Sequence, residues 1–291
     1  MTWLYLALLA YLINAVVFII DKYLLSSSIP KYHAYAFGAA ILSIPAVLLI
    51  PFGVTWYGII YFLIAFSSGA AFFFGLMFLY KSIKDSDVSV AATQVGTLGA
   101  IFTYIFSIFI LKEQLYFADS LAFVFLILGI FLLGKIEKHA MISSLSAGVL
   151  FGLSFVLLKF SFNDSNFING LFWTRLGFIG GAILSLLSSQ VRQEVISSYR
   201  SAPKQSKLLF IFNKILAGTG FVILYLAILQ GKVSLVNALL GLQFLFTFLL
   251  VLFLRNRIPG IREKIDKKTL ASKFIGIGFV LIGFLILFLE K

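Results

Sequence analysis

Long apolar runs separated by short polar breaks constrain the fold of this chain more than any other feature. A transmembrane helix needs roughly 20 apolar residues to cross the hydrocarbon core. The runs are continuously apolar rather than alternating, which favours helices over a membrane barrel. The sequence therefore predicts an all-α membrane protein with ten transmembrane helices, at 2–20, 33–50, 57–80, 88–111, 117–134, 145–162, 167–188, 208–230, 233–254 and 272–289.

Composition supports a lipid environment and excludes several kinds of site. Apolar residues make up 61% of the chain and charged residues only 12%, whereas soluble domains are about half apolar and about a quarter charged. The net charge of +12 would suggest nucleic acid in a soluble protein, but here Lys and Arg lie between the apolar runs. We therefore expect anionic membrane lipid, and no nucleic acid, as a partner. The absence of cysteine excludes disulfides and thiolate metal sites.

The second half of the chain repeats features of the first. Four residues recur with the same spacing across a polar break, and a Phe-Lys pair recurs in the first helix of each half. Because each half would hold five helices, an odd number, the halves would cross the membrane in opposite directions. The sequence thus predicts an inverted repeat, 1–140 and 141–291. The matched sets are Tyr80, Val88, Ser89 and Gly96 with Tyr225, Val233, Ser234 and Gly241, and Phe18 and Lys22 with Phe155 and Lys159.

The first half contains four short motifs: Leu79 to Ile83 at the end of the third helix, Asp87 to Ala92 at the start of the fourth, Ile110 to Leu115 after it, and Leu128 to Ile130 in the fifth. Together they resemble the EamA-like members of the drug/metabolite transporter superfamily. The second half lacks the usual Glu after its fourth helix. The resemblance implies ten helices in two halves around a central cavity, and a carrier of small metabolites, often an exporter.

The distribution of Lys and Arg predicts an orientation. Most of the 23 basic residues lie in loops that follow odd-numbered helices. Basic loops remain in the cytosol, so both termini are predicted to be non-cytosolic in a multi-pass protein of the plasma membrane. The family resemblance implies the opposite, cytosolic termini, and the charge asymmetry outweighs it. Since both halves lie in one chain, dimerisation is unnecessary for building the cavity, and we expect a monomer.

Polar residues within the apolar runs are the candidate binding residues, because polar groups in lipid are costly. Arg175 could bind an anionic group, or could extend to the interface beside Trp173. The same extension is favoured for Lys214. The amides could line a cavity or join helices, and the two repeated tyrosines could gate the cavity or anchor at interfaces. The full candidate set is Arg175, Trp173, Asn14, Gln94, Tyr80, Tyr225, Asn237, Gln243 and Lys214.

Acidic residues all fall at the ends of the predicted helices or in loops. We therefore expect no carboxylate within the membrane, which disfavours cation coupling through a buried Glu and favours anionic, zwitterionic or polar neutral cargo. No cofactor and no metal site are expected.

The leading hypothesis is a secondary transporter or exporter of a small polar metabolite, working by alternating access. One alternative is a flippase for lipid or lipid-linked sugar. Alternatives of other classes are an intramembrane enzyme, disfavoured because His33 and His139 lack partners at motif spacing, and a membrane subunit that transports nothing.

Overall fold

The computed structural model describes residues 2–29, 31–85, 88–133, 140–254 and 267–289. The described chain is helical and contains no strand. The helices, in chain order, are α1 (Thr2–Ser27), α2 (Tyr32–Ile41), α3 (Ile59–Asp85), α4 (Val88–Phe106), α5 (Phe117–Leu133), α6 (Met141–Asp164), α7 (Phe167–Ser185), α8 (Ser189–Ser201), α9 (Lys204–Gln230), α10 (Val233–Ala238), α11 (Leu240–Leu254) and α12 (Lys267–Leu289).

Nine helical segments in the described part of the chain are long and apolar enough to cross a membrane. The chain is thus an integral, multi-pass membrane protein, as predicted. The predicted fifth span corresponds to α5, a shorter apolar helix of 17 residues. The predicted polar breaks at Lys135 to His139 and at Pro259-Gly260 lie outside the described residues.

The second predicted span is interrupted. Helix α2 ends at Ile41, and after a short turn a 3₁₀ helix runs over Ile44–Phe52, called the 3₁₀ segment below. Pro45 occupies its first turn and Pro51 lies within it. Proline has no backbone N–H and its ring clashes with the preceding turn, so it does not continue an α-helix. This span therefore changes helix type near its middle.

Helix α8 occupies a segment that the sequence analysis treats as a loop. Its residues Val191 and Val195 pack with Ala34 of α2. The Tyr199 hydroxyl donates to the Ala34 carbonyl at 3.0 Å. Two buried valines four residues apart form one apolar face of a short helix, which explains its docking on the bundle. The segment was missed because its mostly polar composition resembles a loop.

Glycines bring the central helices into close contact. Helix α3 packs against α6 and α7, and α1 packs against α9. A Cβ atom on Gly177 of α7 would lie 2.0 Å from the Phe66 carbonyl oxygen of α3, and one on Gly69 would lie 1.9 Å from the Thr174 carbonyl oxygen. The Gly148 and Gly152 pair of α6 meets α4 in the same way. Small residues thus hold these backbones together, as in other membrane bundles.

Candidate functional site

A cavity of about 360 Å³ lies within the bundle. Its wall includes residues of α1, α2, the 3₁₀ segment, α3, α7, α9 and α11. Seven phenylalanines contribute to the wall: Phe18, Phe72, Phe151, Phe155, Phe178, Phe221 and Phe244. The volume is large enough for a small organic molecule, and the phenylalanine side chains favour a ligand with an apolar portion.

A buried ion pair marks one end of the cavity. The Lys214 ammonium of α9 lies 2.6 Å from Asp21 Oδ1 of α1 and donates to the Tyr80 hydroxyl of α3 at 2.9 Å. The same carboxylate oxygen accepts from the Tyr35 hydroxyl and from Asn213 Nδ2, both at 2.6 Å. This cluster, named the Asp21–Lys214 cluster, joins four helices at one point.

Two expectations about these residues are wrong. Asp21 is 2% exposed and lies well inside α1, which continues to Ser27, so a carboxylate does lie within the bundle. Lys214 is 8% exposed and binds Asp21 instead of extending to the interface. The partners are 193 positions apart in the chain. A carboxylate and an ammonium buried in an apolar bundle offset their desolvation cost when they form an ion pair. The sequence does not show that these two residues are in contact.

Arg175 lies near the other end of the cavity wall. Its guanidinium carbon is 5.2 Å from the centroid of the Tyr225 ring and 5.9 Å from that of Phe178, within the range of cation–π interaction. Among the described residues, no carboxylate or hydrogen-bond acceptor pairs with it. Arg175 is therefore a cation whose five donors are available to a ligand in the cavity.

The two charged positions are well separated. Tyr225, beside Arg175, follows Lys214 by three turns of α9, which at helical rise is about 16 Å along the axis. The cavity thus has an available cation and, well separated from it, a neutralised ion pair, and phenylalanines belong to the same wall.

Three amides contribute polar atoms to the wall: Asn14 of α1, Asn237 of α10 and Gln243 of α11. The Asn14 Oδ1 atom is buried and has no hydrogen-bond partner in the described chain. Asn237 Nδ2 donates to the Val233 carbonyl within its own helix at 3.1 Å. A buried amide oxygen without a partner is costly, and a ligand donor would relieve that cost.

The remaining predicted site residues do not line the cavity. Trp173 Nε1 donates to the Thr55 carbonyl at 3.2 Å, and its ring packs on Trp56, so it anchors the loop before α3. Gln94 Oε1 accepts from the Ser144 hydroxyl at 3.4 Å between α4 and α6. Tyr225 is buried behind Arg175. The other six candidates, Asn14, Tyr80, Arg175, Lys214, Asn237 and Gln243, share the cavity.

Sequence reasoning missed Asp21 and Tyr35 as members of the site. Asp21 follows the first apolar run directly, and a single acid there resembles the start of a loop. Tyr35 is buried and donates to Asp21, but tyrosine near a helix end also resembles an interface anchor. The one available signal was the formal charge of Lys214, because a buried ammonium favours an acidic partner.

Comparisons with known proteins establish the fold and nothing finer. No protein-family model matches the chain, and no curated protein matches it. Among the solved structures, 21 chains match. One of them, described only as "Crystal structure of protein", has a TM-score of 0.67 and 14% sequence identity, and the match covers 98% of this chain and 94% of that one. At that identity the similarity concerns the overall helical fold along nearly the whole length of both chains.

Proposed function

We propose that this chain is a secondary transporter whose cargo is a small organic anion with an apolar, preferably aromatic, body. The observation that carries the proposal is Arg175, a cation without an acidic partner in the described chain, facing a cavity walled by phenylalanine. A guanidinium binds a carboxylate through two parallel hydrogen bonds, and this interaction is stronger where water is excluded. The cargo is narrower than the polar metabolite that the sequence predicts, because the wall is mostly apolar and contains seven phenylalanines.

The packing of the helices supports a transport mechanism over a static receptor. In the proposed repeat, α6 is the counterpart of α1, α3 of α9, and α4 of α11. Helix α1 packs against α9 and α11, and α6 correspondingly packs against α3 and α4. Lys22 donates to the Ile83 carbonyl at 2.9 Å, and its counterpart Lys159 donates to the Ile228 carbonyl at 2.9 Å. An inverted repeat with equivalent contacts in both halves favours alternating access to one cavity.

Helices α2 and α7, counterparts in the proposed repeat, differ between the halves. Helix α7 is continuous and lies tightly against α3 through Gly69 and Gly177. Helix α2 breaks at Ile41, and the 3₁₀ segment continues the span. In an inverted repeat, two halves in different conformations correspond to a cavity open toward one side, and exchange of the two conformations would expose it to the other.

A ligand panel that varies only in charge tests the cargo class. Benzoate, benzyl alcohol and benzylamine share one ring, so thermal unfolding of the purified protein with each isolates the contribution of the anion. We expect benzoate alone to raise the melting temperature, because a ligand at about 100 times its Kd adds about 2.7 kcal/mol of stability. Arg175→Gln should abolish the shift, and Arg192→Gln, at an exposed arginine of α8, should preserve it.

Two results would contradict the proposal. Equal stabilisation by all three ligands would show that the ring alone binds and that Arg175 selects nothing. Stabilisation by benzoate without uptake of labelled benzoate into proteoliposomes would indicate a binding protein that transports nothing. Uptake that is lost in Arg175→Gln and kept in Arg192→Gln supports the transporter.

A further inference from the structure

The wall of the cavity reaches the outer surface of the bundle on one side. Leu42 lines the cavity and is 38% exposed, and Pro45, the next turn along, is also an exposed lining residue. The lining also includes Gly218 of α9, which is half-buried and where an added Cβ atom would meet no atom of the described chain within 4 Å. Two lining residues, Leu42 and Pro45, thus lie at the outer surface of the bundle, and a third, Gly218, borders open space.

This opening lies at the depth of the lipid tails. Leu42 and Pro45 are near the middle of the membrane-crossing segment Tyr32–Phe52, and Gly218 is near the middle of Lys204–Gln230. The middle of such a segment lies within the hydrocarbon core, which is about 30 Å thick. The opening therefore faces acyl chains, and not the water at either membrane surface.

The break in α2 explains the opening. Near the start of α2, Tyr35 packs edge-on against Phe210 of α9, with ring centroids 4.9 Å apart, and a Cβ on Gly38 would lie 2.9 Å from the same Phe210 ring. The 3₁₀ segment beyond Ile41 packs against α7. About two turns after Phe210 along α9, a Cβ added at Gly218 would meet no atom of the described chain within 4 Å.

We propose that this opening is a lateral portal through which an amphiphilic organic anion enters the cavity from the bilayer. The anionic head binds Arg175, and the apolar tail lies along the phenylalanine wall and emerges between Leu42 and Gly218. Gly218 precedes Tyr225, which lies beside Arg175, by about 10 Å along α9. The alkyl tail of a ligand bound at Arg175 is long enough to reach Gly218. The outer side of the 3₁₀ segment is also apolar, with Val47 and Leu48 exposed to lipid. This inference rests on the proposed function and names its cargo more narrowly.

The test compares two substitutions that are equivalent except in position. Gly218→Leu narrows the portal, and Gly278→Leu makes the same change on α12, outside the cavity lining. At both glycines an added Cβ would meet no atom of the described chain within 4 Å, so neither substitution clashes at its Cβ. Binding of dansyl-undecanoate, which dissolves in the bilayer, and of benzoate, which stays in water, is measured with the protein in lipid nanodiscs.

We expect Gly218→Leu to weaken dansyl-undecanoate binding by about tenfold, because the added side chain crowds the path of the tail through the opening. Benzoate binding should stay within about twofold of the parent, since the ring lies near Arg175, about 10 Å away along α9. Gly278→Leu should leave both affinities unchanged. Arg175→Gln should weaken both probes.

Other outcomes overturn the portal in distinguishable ways. If Gly218→Leu leaves dansyl-undecanoate binding unchanged, or weakens both probes equally, the tail does not pass Gly218. If benzoate binds through Arg175 and dansyl-undecanoate does not bind, the cargo enters from water, and the proposed function stands without the portal. If Arg175→Gln binds both probes as tightly as the parent protein does, the proposed function itself fails.

Discussion

At the scale of single residues, the Asp21–Lys214 cluster shows how a charged pair is kept inside an apolar bundle. The carboxylate oxygen accepts three hydrogen bonds, from Lys214, Tyr35 and Asn213, so little of its lost hydration is left without compensation. The ammonium also lies 4.6 Å from the Tyr35 ring centroid. Because every contact crosses between helices, the cluster fixes the relative positions of α1, α2, α3 and α9.

Removing one partner of this pair should therefore cost more than removing both. Lys214→Met leaves Asp21 buried with one charge unpaired, and Asp21→Asn does the same to Lys214, so each should lower the free energy of unfolding by about 3–5 kcal/mol. The double variant should recover most of that loss. Thermal unfolding of the four proteins in one detergent measures the coupling.

Strictly additive losses would contradict this account, since they would mean that neither charge depends on the other. Tyr80→Phe serves as a control, because it removes a single hydroxyl from the cluster and leaves both charges in place. Its cost should stay near about 1 kcal/mol, the usual value of one hydrogen bond.

At the scale of helices, close packing of α3 on α7 depends on the absence of side chains. Gly177→Ala would place a methyl group 2.0 Å from the Phe66 carbonyl oxygen, which forces the two backbones apart. We expect a loss of about 1–3 kcal/mol of stability, the range found for overpacked cores. Gly278→Ala, where the added Cβ meets no atom of the described chain, should be neutral or slightly stabilising, because Ala favours a helix over Gly. Thermal unfolding measures both, and equal effects would show that helix propensity, and not packing, decides.

Docking of α8 on α2 depends on the charge of Glu194. Its carboxylate lies 2.7 Å from His33 Nδ1 and 3.6 Å from the Lys31 ammonium. Partial burial alone would raise the Glu194 pKa, but the hydrogen bond and charge of His33, with Lys31 and Gln190, outweigh it and hold the pKa below its ordinary value of 4.5. A carboxyl whose pKa is lowered by folding stabilises the folded contact when ionised.

The contribution of Glu194 should therefore be complete above pH 4.5 and should decline as the pH falls below that value. A spin label at Ser197→Cys reports the mobility of α8, and the natural absence of cysteine makes the label unique. We expect constant mobility from neutral pH down to about this point and increasing mobility below it. Glu194→Gln should be mobile at every pH, and an unchanged titration in that variant would assign the effect to another group.

At the scale of the whole molecule, orientation remains a prediction from charge. Helix α8 lies in the basic segment that follows the seventh predicted span. The loop between α6 and α7 follows the sixth predicted span and belongs to the opposite, charge-poor side. If the positive-inside rule holds, single cysteines at the exposed positions Ser197 and Asn163 will react differently with a membrane-impermeant maleimide. In intact cells Asn163→Cys should be labelled and Ser197→Cys protected until the membrane is opened. The reverse pattern would place the termini in the cytosol, as the family resemblance implies.

The sequence by itself determined the solvent, the helical class and most of the helix positions. Roughly 20 apolar residues in succession have few structural alternatives in a bilayer, because each backbone group must be hydrogen-bonded within its own helix. It also identified Arg175 as a cation that needs a reason to be in the membrane, since that argument requires only the cost of burying charge.

The tertiary structure alone decided which polar residues meet. Asp21 and Lys214 are 193 positions apart, and nothing near either residue indicates the other. The same is true of Gly69 with Gly177, whose contact is visible only once α3 and α7 are packed. The open space at Gly218 likewise depends on how the helices around α9 are arranged. Local composition sets the cost of burial for each residue, whereas the partners that offset it are selected by contacts between distant helices.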